Sequence, residues 1–243
     1  MISKKVNYLG LGLLVGCVLV FSSCDDEINP SATITTEEIT VGDFSTIQVS
    51  SGFDVEIFEA EGDNEYVLIE SNENLHQYIE ANQENGNLSI RLDNVNVSGR
   101  TILKARVYTN HPIKAISLTG GSRLTASGVT YESAVTFDLS GASFLRTEVS
   151  TASLTANLAG ASNLEIRGEA NSIVLNLTGA SRVSDDRMEV NMANLTLSGA
   201  SQAKLVINQE LRLNATGASV LRYGGDAVIK AIDMSGNSTI EKI

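Results

Sequence analysis

From Ile116 onward, a glycine followed two residues later by a serine recurs seven times: Gly120/Ser122, Gly141/Ser143, Gly160/Ser162, Gly179/Ser181, Gly199/Ser201, Gly217/Ser219 and Gly236/Ser238. Successive glycines lie 21, 19, 19, 20, 18 and 19 residues apart, a period of about 19. That period is too short for a pair of helices and equals one coil of a β-solenoid, in which each strand pairs in parallel with its equivalent one coil on.

The residues around each glycine say which way the side chains point. Two places before it stand Leu118, Leu139, Leu158, Leu177, Leu197, Ala215 and Met234; four places before it, Ile116, Phe137, Ala156, Leu175, Leu195, Leu213 and Ile232. Between them lie only polar residues: Ser117, Asp138, Asn157, Asn176, Thr196, Asn214 and Asp233. Alternation with period two is a strand with one buried face. Four places past the glycine the apolar set resumes at Leu124, Leu145, Leu164, Val183, Ala203, Leu221 and Ile240, so a second strand follows each corner. Glycine suits the corner because it takes positive φ and lets backbones approach closely. At about 4.8 Å per strand, seven coils predict a rod segment roughly 34 Å long.

A serine two residues after a glycine invites comparison with a nucleophile elbow, but that motif is G-x-S-x-G, and the position after next is never Gly here. Seven equivalent serines and two histidines in the whole chain do not make a catalytic set; the hydroxyls are expected to satisfy backbone groups at the corners. Solenoid polysaccharide hydrolases use carboxylates about 5 to 9.5 Å apart, and the lyases use Ca²⁺-binding acid clusters. Asp138 and Asp233, the outward acids of the pre-glycine row, are five coils apart, roughly 24 Å by strand spacing. Asp185 and Asp186 are adjacent, would face opposite sides of a strand, and have Arg182 and Arg187 as local ion-pair partners. His76 and His111 read as surface or turn residues rather than ligands. The acidic stretch from Glu56 to Glu73 lacks D-x-D-x-D-G spacing and reads as a solvated face. No catalytic residue, metal or cofactor is expected.

Charge divides the chain. Of 29 acidic residues, 17 lie in residues 25–100 with only Arg91 and Arg100 to oppose them, a net of −15; residues 101–243 hold 12 acidic and 13 basic residues, a net of +1. The overall −12 argues against nucleic acid as a partner, since phosphate backbones need clustered Lys and Arg. Strands are predicted in the acidic part at Ile47–Val49, Phe53–Ile57, Tyr66–Glu70, Leu88–Leu92 and Ala105–Tyr108, with a turn at Asn85-Gly86-Asn87. Glu73–Glu84 is the one short helix candidate.

Both cysteines, Cys17 and Cys24, fall in the first 24 residues, so no disulfide can hold the remainder. Lys4 and Lys5 precede an apolar run from Leu9 to Phe21, too short for a confident membrane span. Small residues before Cys24 and the polar switch to Asp25-Asp26-Glu27 resemble the lipobox of a bacterial lipoprotein. Residues 1–23 then form the signal peptide, Cys24 carries lipid, and residues 24–39 form an acidic linker. Cys17 is the weaker choice, because cutting there leaves Val18-Leu19-Val20-Phe21 exposed. In Bacteroidetes-type lipoproteins an acidic tetrad after the cysteine resembles a signal for the outer face of the outer membrane; a solvated linker is the other reading of the same residues.

The order of elements resembles the auto-transporter adhesin head, or GIN, domain family. Matching segments are Phe44–Ile57, Asn74-Leu75, Tyr78–Glu80, Gly86–Leu92, Ala115–Ser122 and the Gly-Ala-Ser coils, covering about residues 40–243. The resemblance implies an all-β, right-handed parallel β-helix with about 19 residues per coil. One domain then spans 40–243, with an irregular front at 40–110 and regular coils at 111–243. It also implies a cell-envelope lipoprotein acting as an adhesin or surface binding module, not an enzyme. The membrane would be met through Cys24, and a surface glycan or protein is the expected ligand. A structural envelope component without a ligand is the alternative, and a polysaccharide-degrading or carbohydrate-binding solenoid a weaker one. An open solenoid edge at the last coil is sticky. Either Glu241 and Lys242 guard it, or a second copy of the chain covers it.

Overall fold

The computed structural model describes residues 27–62, 64–184 and 187–243. The leader, Cys17, Cys24, Asp25, Asp26, Asp185 and Asp186 lie outside the described residues. The chain begins with β1 (Ile34–Thr40), β2 (Thr46–Val49), β3 (Asp54–Glu59) and β4 (Tyr66–Asn72), then a 3-10 turn at Glu73–Tyr78. Next come β5 (Ile79–Glu84), β6 (Asn87–Leu92) and β7 (Leu103–Thr109). The regular part comprises β8 (Ile113–Leu118), β9 (Arg123–Ala126), β10 (Tyr131–Leu139), β11 (Phe144–Leu158), β12 (Asn163–Leu177) and β13 (Arg182–Ser184). It ends with β14 (Met188–Leu197), β15 (Gln202–Ala215), β16 (Val220–Gly224), β17 (Val228–Met234) and β18 (Thr239–Lys242).

The apolar sets stack in the expected register, and the chain is a parallel β-solenoid. Leu139 faces Leu158, Leu158 faces Leu177 and Leu177 faces Leu197. After the corner, Leu145 faces Leu164 and Leu164 faces Val183. The strands β11, β12 and β14 bend a second time away from the glycine. In β11 the buried positions are Leu145, Thr147 and Val149, then Leu154, Ala156 and Leu158, so inward facing changes parity between Val149 and Leu154. A shift of one residue turns the strand face over, and here it turns the chain around the core instead. The inward residues form one continuous core along the rod.

The corners show why glycine recurs. Gly199 has φ of 74°, and a Cβ there would lie 2.4 Å from the carbonyl oxygen of Gly179, one coil below. The backbone uses that closeness: Ala200 N–H donates to Gly179 O at 2.7 Å, and Ala218 N–H to Gly199 O at 2.7 Å. The corner serines from Ser122 to Ser219 are buried and turn inward. Ser162 Oγ donates to Ala159 O at 2.9 Å, Ser181 to Thr178 O at 2.8 Å and Ser219 to Thr216 O at 2.7 Å.

The front departs from expectation in being more regular than its sequence. β2 and β3 pair in parallel with β8 and β9, with Ile47 opposite Ile116 and Val49 opposite Leu118. β6 and β7 pair in parallel with the other edges of β2 and β3. Two further coils therefore extend the rod ahead of the Gly120 corner, although the chain reaches them out of order. At the β2–β3 corner Ser51 (φ 63°) takes the glycine's place, and buried Phe53 takes the serine's. The Gly-x-Ser signature is absent there while the geometry persists.

Antiparallel strands then cover the front edge. β5 pairs with β6 through a hairpin whose Asn85 and Gly86 both have positive φ, the type I′ pattern. β4 pairs with β7, and β1 pairs with β4. The stretch expected to be linker is thus partly structure: β1 begins at Ile34, and Ile28 bridges to Val97. With only Ile34 and Ile39 as large apolar residues among Thr and Glu, β1 carries little apolar signal; its backbone pairing on β4 holds it. The helix candidate Glu73–Glu84 holds only to Tyr78 before becoming β5.

Candidate functional site

The outward face of the pre-glycine arm places its polar residues in a straight row. The register runs Gln48, Ser117, Asp138, Asn157, Asn176, Thr196, Asn214, Asp233. The amides bond along the row: Asn157 Nδ2 donates to Asp138 Oδ1 at 2.7 Å, and Asn176 Nδ2 to Asn157 Oδ1 at 2.8 Å. Beside it, just before each glycine, stand Thr119, Ser140, Ala159, Thr178, Ser198, Thr216 and Ser235. A shallow depression of about 310 Å³ spans both rows, lined by Ser117, Thr119, Asp138, Ser140, Asn157 and Asn176 among others. Fixed amides and hydroxyls at a regular spacing, with little charge, can form hydrogen bonds; they supply no nucleophile–base pair.

The opposite arm is charged. Arg146 meets Glu165 at 2.6 Å and Arg167 meets Glu148 at 2.7 Å, both pairs being direct rungs of β11 on β12. They line an open groove of about 380 Å³ together with Gly128 and Arg187. Among the described residues one pair of acids meets rung to rung, Glu169 opposite Glu189. Both are exposed, without the apolar surroundings that keep one carboxyl protonated for general acid catalysis. Asp138 and Asp233 remain five rungs apart, as their spacing predicts.

The two histidines differ. His76, expected at the surface or in a turn, lies in the 3-10 turn with its side chain packed against β1, Nε2 at 3.2 Å from Thr35 O and Nδ1 at 3.6 Å from Glu37. His111 is in the turn after β7, half exposed, with Nδ1 at 2.8 Å from the buried carboxylate of Glu65. That hydrogen bond raises its pKa above the ordinary histidine value; partial desolvation opposes this, and the charges of Glu65 and Asp43 add to it. No sequence motif announces the contact, because Glu65 and His111 meet only when β4 pairs with β7.

Comparison with known proteins settles the family. The model of the family "putative auto-transporter adhesin, head GIN domain" matches residues 43–227. The chain belongs to this family. The GIN match leaves out β1 and most of the last coil and includes both out-of-order front coils. Among solved structures, a putative adhesin from Bacteroides fragilis NCTC 9343 superposes with a TM-score of 0.81 at 16% identity, over 89% of this chain and 100% of that one. A putative adhesin from Parabacteroides merdae ATCC 43184 gives 0.73 at 18% identity, over 90% and 99%. A structure described as a putative lipid binding protein from Parabacteroides distasonis ATCC 8503 gives 0.67 at 18% identity, over 89% and 99%. At such identities the likeness is one of fold. No curated protein matches the chain. Among the described residues, no helix is long and apolar enough to cross a membrane.

Proposed function

We propose that this GIN-domain chain is a non-enzymatic binding module of the bacterial cell envelope, held at the outer membrane by lipid on Cys24 and used in adhesion. The observation that carries the reading is the bonded row Asp138–Asn157–Asn176 with its flanking hydroxyls. Amides locked by their neighbours lose little freedom on binding, and several weak rungs engaged together add up to useful affinity. The near-neutral face suits a hydroxyl-rich surface glycan, or a protein of similar polarity, better than a charged polymer. The adhesin descriptions of the family and of two structural neighbours support this reading.

A glycan array and a cell-adhesion assay on the soluble fragment from Asp25 test it. Binding is expected in at least one, and Asn157→Leu with Asn176→Leu is expected to lower it with the fold retained. Null results in both would favour a structural envelope component instead. A specific observation supports that second reading: Val228, Ile229 and Ile232 of β17 are exposed, a surface suited to packing on another copy of the chain. For the anchor, Cys24→Ala should move the protein out of the membrane fraction, and unchanged fractionation would refute lipidation there.

A further inference from the structure

Three side chains scattered in sequence converge where the antiparallel cap meets the coils. Asp43 precedes β2, Glu65 precedes β4, and His111 lies between β7 and β8; one ligand atom from each comes within 4.8 Å of the others. Glu65 is 4% exposed. Its Oε1 accepts from Thr109 Oγ1 at 2.5 Å and from Asn110 N–H at 3.2 Å, and faces His111 Nδ1 at 2.8 Å. The other oxygen of the same carboxylate, Oε2, is buried and bonded to nothing. Across the ring, His111 Nε2 lies 3.6 Å from Asp43 Oδ2.

A buried carboxylate oxygen without a partner is costly, and a second carboxylate close by adds repulsion. A cation held by one atom of each group offsets the repulsion between the carboxylates and gives the buried Glu65 carboxylate a countercharge. We propose that Asp43, Glu65 and His111 form a binding site for one divalent transition-metal ion. One imidazole nitrogen with two carboxylate oxygens suits Zn²⁺, whereas Ca²⁺ takes six to eight oxygen ligands. Asp43 and His111 face solvent, leaving room for water to complete the coordination. Because the ligands come from three segments, the ion clamps the loop before β2, the start of β4 and the β7–β8 turn together. Isolated histidines and an acidic stretch without a metal motif gave no hint of this, and the site runs against the expectation of a metal-free chain.

The test is calorimetric titration of tag-free, metal-stripped full chain in detergent with ZnCl₂ and with CaCl₂. The expected result is one Zn²⁺ per chain with Ca²⁺ at least about tenfold weaker. Asp43→Asn and His111→Gln should each weaken Zn²⁺ at least about tenfold. Asp43 is exposed, so its replacement should leave the fold intact even where Glu65→Gln does not. His76→Gln, remote from the cluster, should bind as the wild type does. Zn²⁺ should also raise the thermal midpoint of the wild type but not of Asp43→Asn. Absence of binding at about 1 mM Zn²⁺ overturns the proposal. So do Asp43→Asn and His111→Gln chains that bind like the wild type, and so does Ca²⁺ binding as tight as Zn²⁺.

Discussion

The regular coils and the acidic front build the same ladder from different sequence. In the coils, each strand's partner lies about one repeat further along the chain, and the Gly-x-Ser corner returns each time. In the front, β2 sits between β6 and β8, strands tens of residues away, and its corner reads Ser51-Gly52-Phe53. Repetition is therefore not what the core requires. Glycine becomes necessary from Gly179 onward, where a Cβ at each corner would lie 2.4 to 2.6 Å from the carbonyl oxygen one coil below, whereas at Gly141 and Gly160 the nearest backbone atom is 3.3 Å away.

That contrast makes the largest prediction. Gly199 and Gly86 have nearly the same φ, 74° and 77°, but a Cβ at Gly199 would meet a backbone oxygen at 2.4 Å while one at Gly86 meets nothing within 4 Å. Gly86→Ala, paying only for positive φ, should lose about 1 kcal/mol. Gly199→Ala must also push two coils apart and should lose about 3 kcal/mol or more. Urea denaturation of the two variants measures this, and equal losses would break the comparison.

A second contrast lies along one ladder. Leu175, stacked between Ala156 and Leu195, is fully buried, whereas Ile232, at the equivalent position in β17, is 48% exposed. Leu175→Ala should cost about 2 to 5 kcal/mol and Ile232→Ala less than about 1 kcal/mol. A large loss at Ile232 would mean that the β17 face is covered in solution, which sedimentation would then show as an oligomer.

The coils were legible in the sequence because period and polarity agree at every repeat: each residue placed inward by alternation is buried up to the last coil, where Ile232, Met234 and Ile240 are partly open. The five predicted front strands also form. What could not be read is long-range pairing. β1, with Thr and Glu at most positions, is a strand only because β4 offers it an edge. The β2–β3 coil lacks the corner signature, so nothing local says that it stacks on β8 and β9. The Asp43–Glu65–His111 cluster was hidden for the same reason, since β4 and β7 must pair before its members meet. The outward row Asp138–Asn157–Asn176 was legible residue by residue, while its bonding along the rod needed the register.

The corner serines should matter less than the glycines. Ser162 is buried and bonded to Ala159 O, so Ser162→Ala removes one hydrogen bond and should cost about 1 kcal/mol, with adhesion unchanged. Ser238 makes the equivalent bond to Ser235 O in the open last coil, where water can replace it. Ser238→Ala should therefore cost less, as denaturation midpoints would register. Covalent capture of Ser162 by a serine-reactive probe would contradict the structural role.

The smallest effect is expected from charge, and it tests whether the two regions differ in anything besides backbone stacking. Arg146–Glu165 joins parallel rungs of the coils at 2.6 Å, and Arg91–Glu80 joins antiparallel rungs of the front at the same 2.6 Å. Both pairs are substantially open to water, so each should couple by no more than about 1 kcal/mol in a double-mutant cycle to alanine. The coil pair has a neighbour of reversed sign, Glu148–Arg167, on the same face. That neighbour, two residues along the strand and so about 7 Å away, should add a few tenths of a kcal/mol that high salt weakens, because ions screen charges exposed to water. Coupling near 2 kcal/mol at Arg146–Glu165 alone would show that the coils also draw stability from a charge ladder. Equal and weak coupling at both sites would leave the close contact of glycine on glycine as what sets the coils apart.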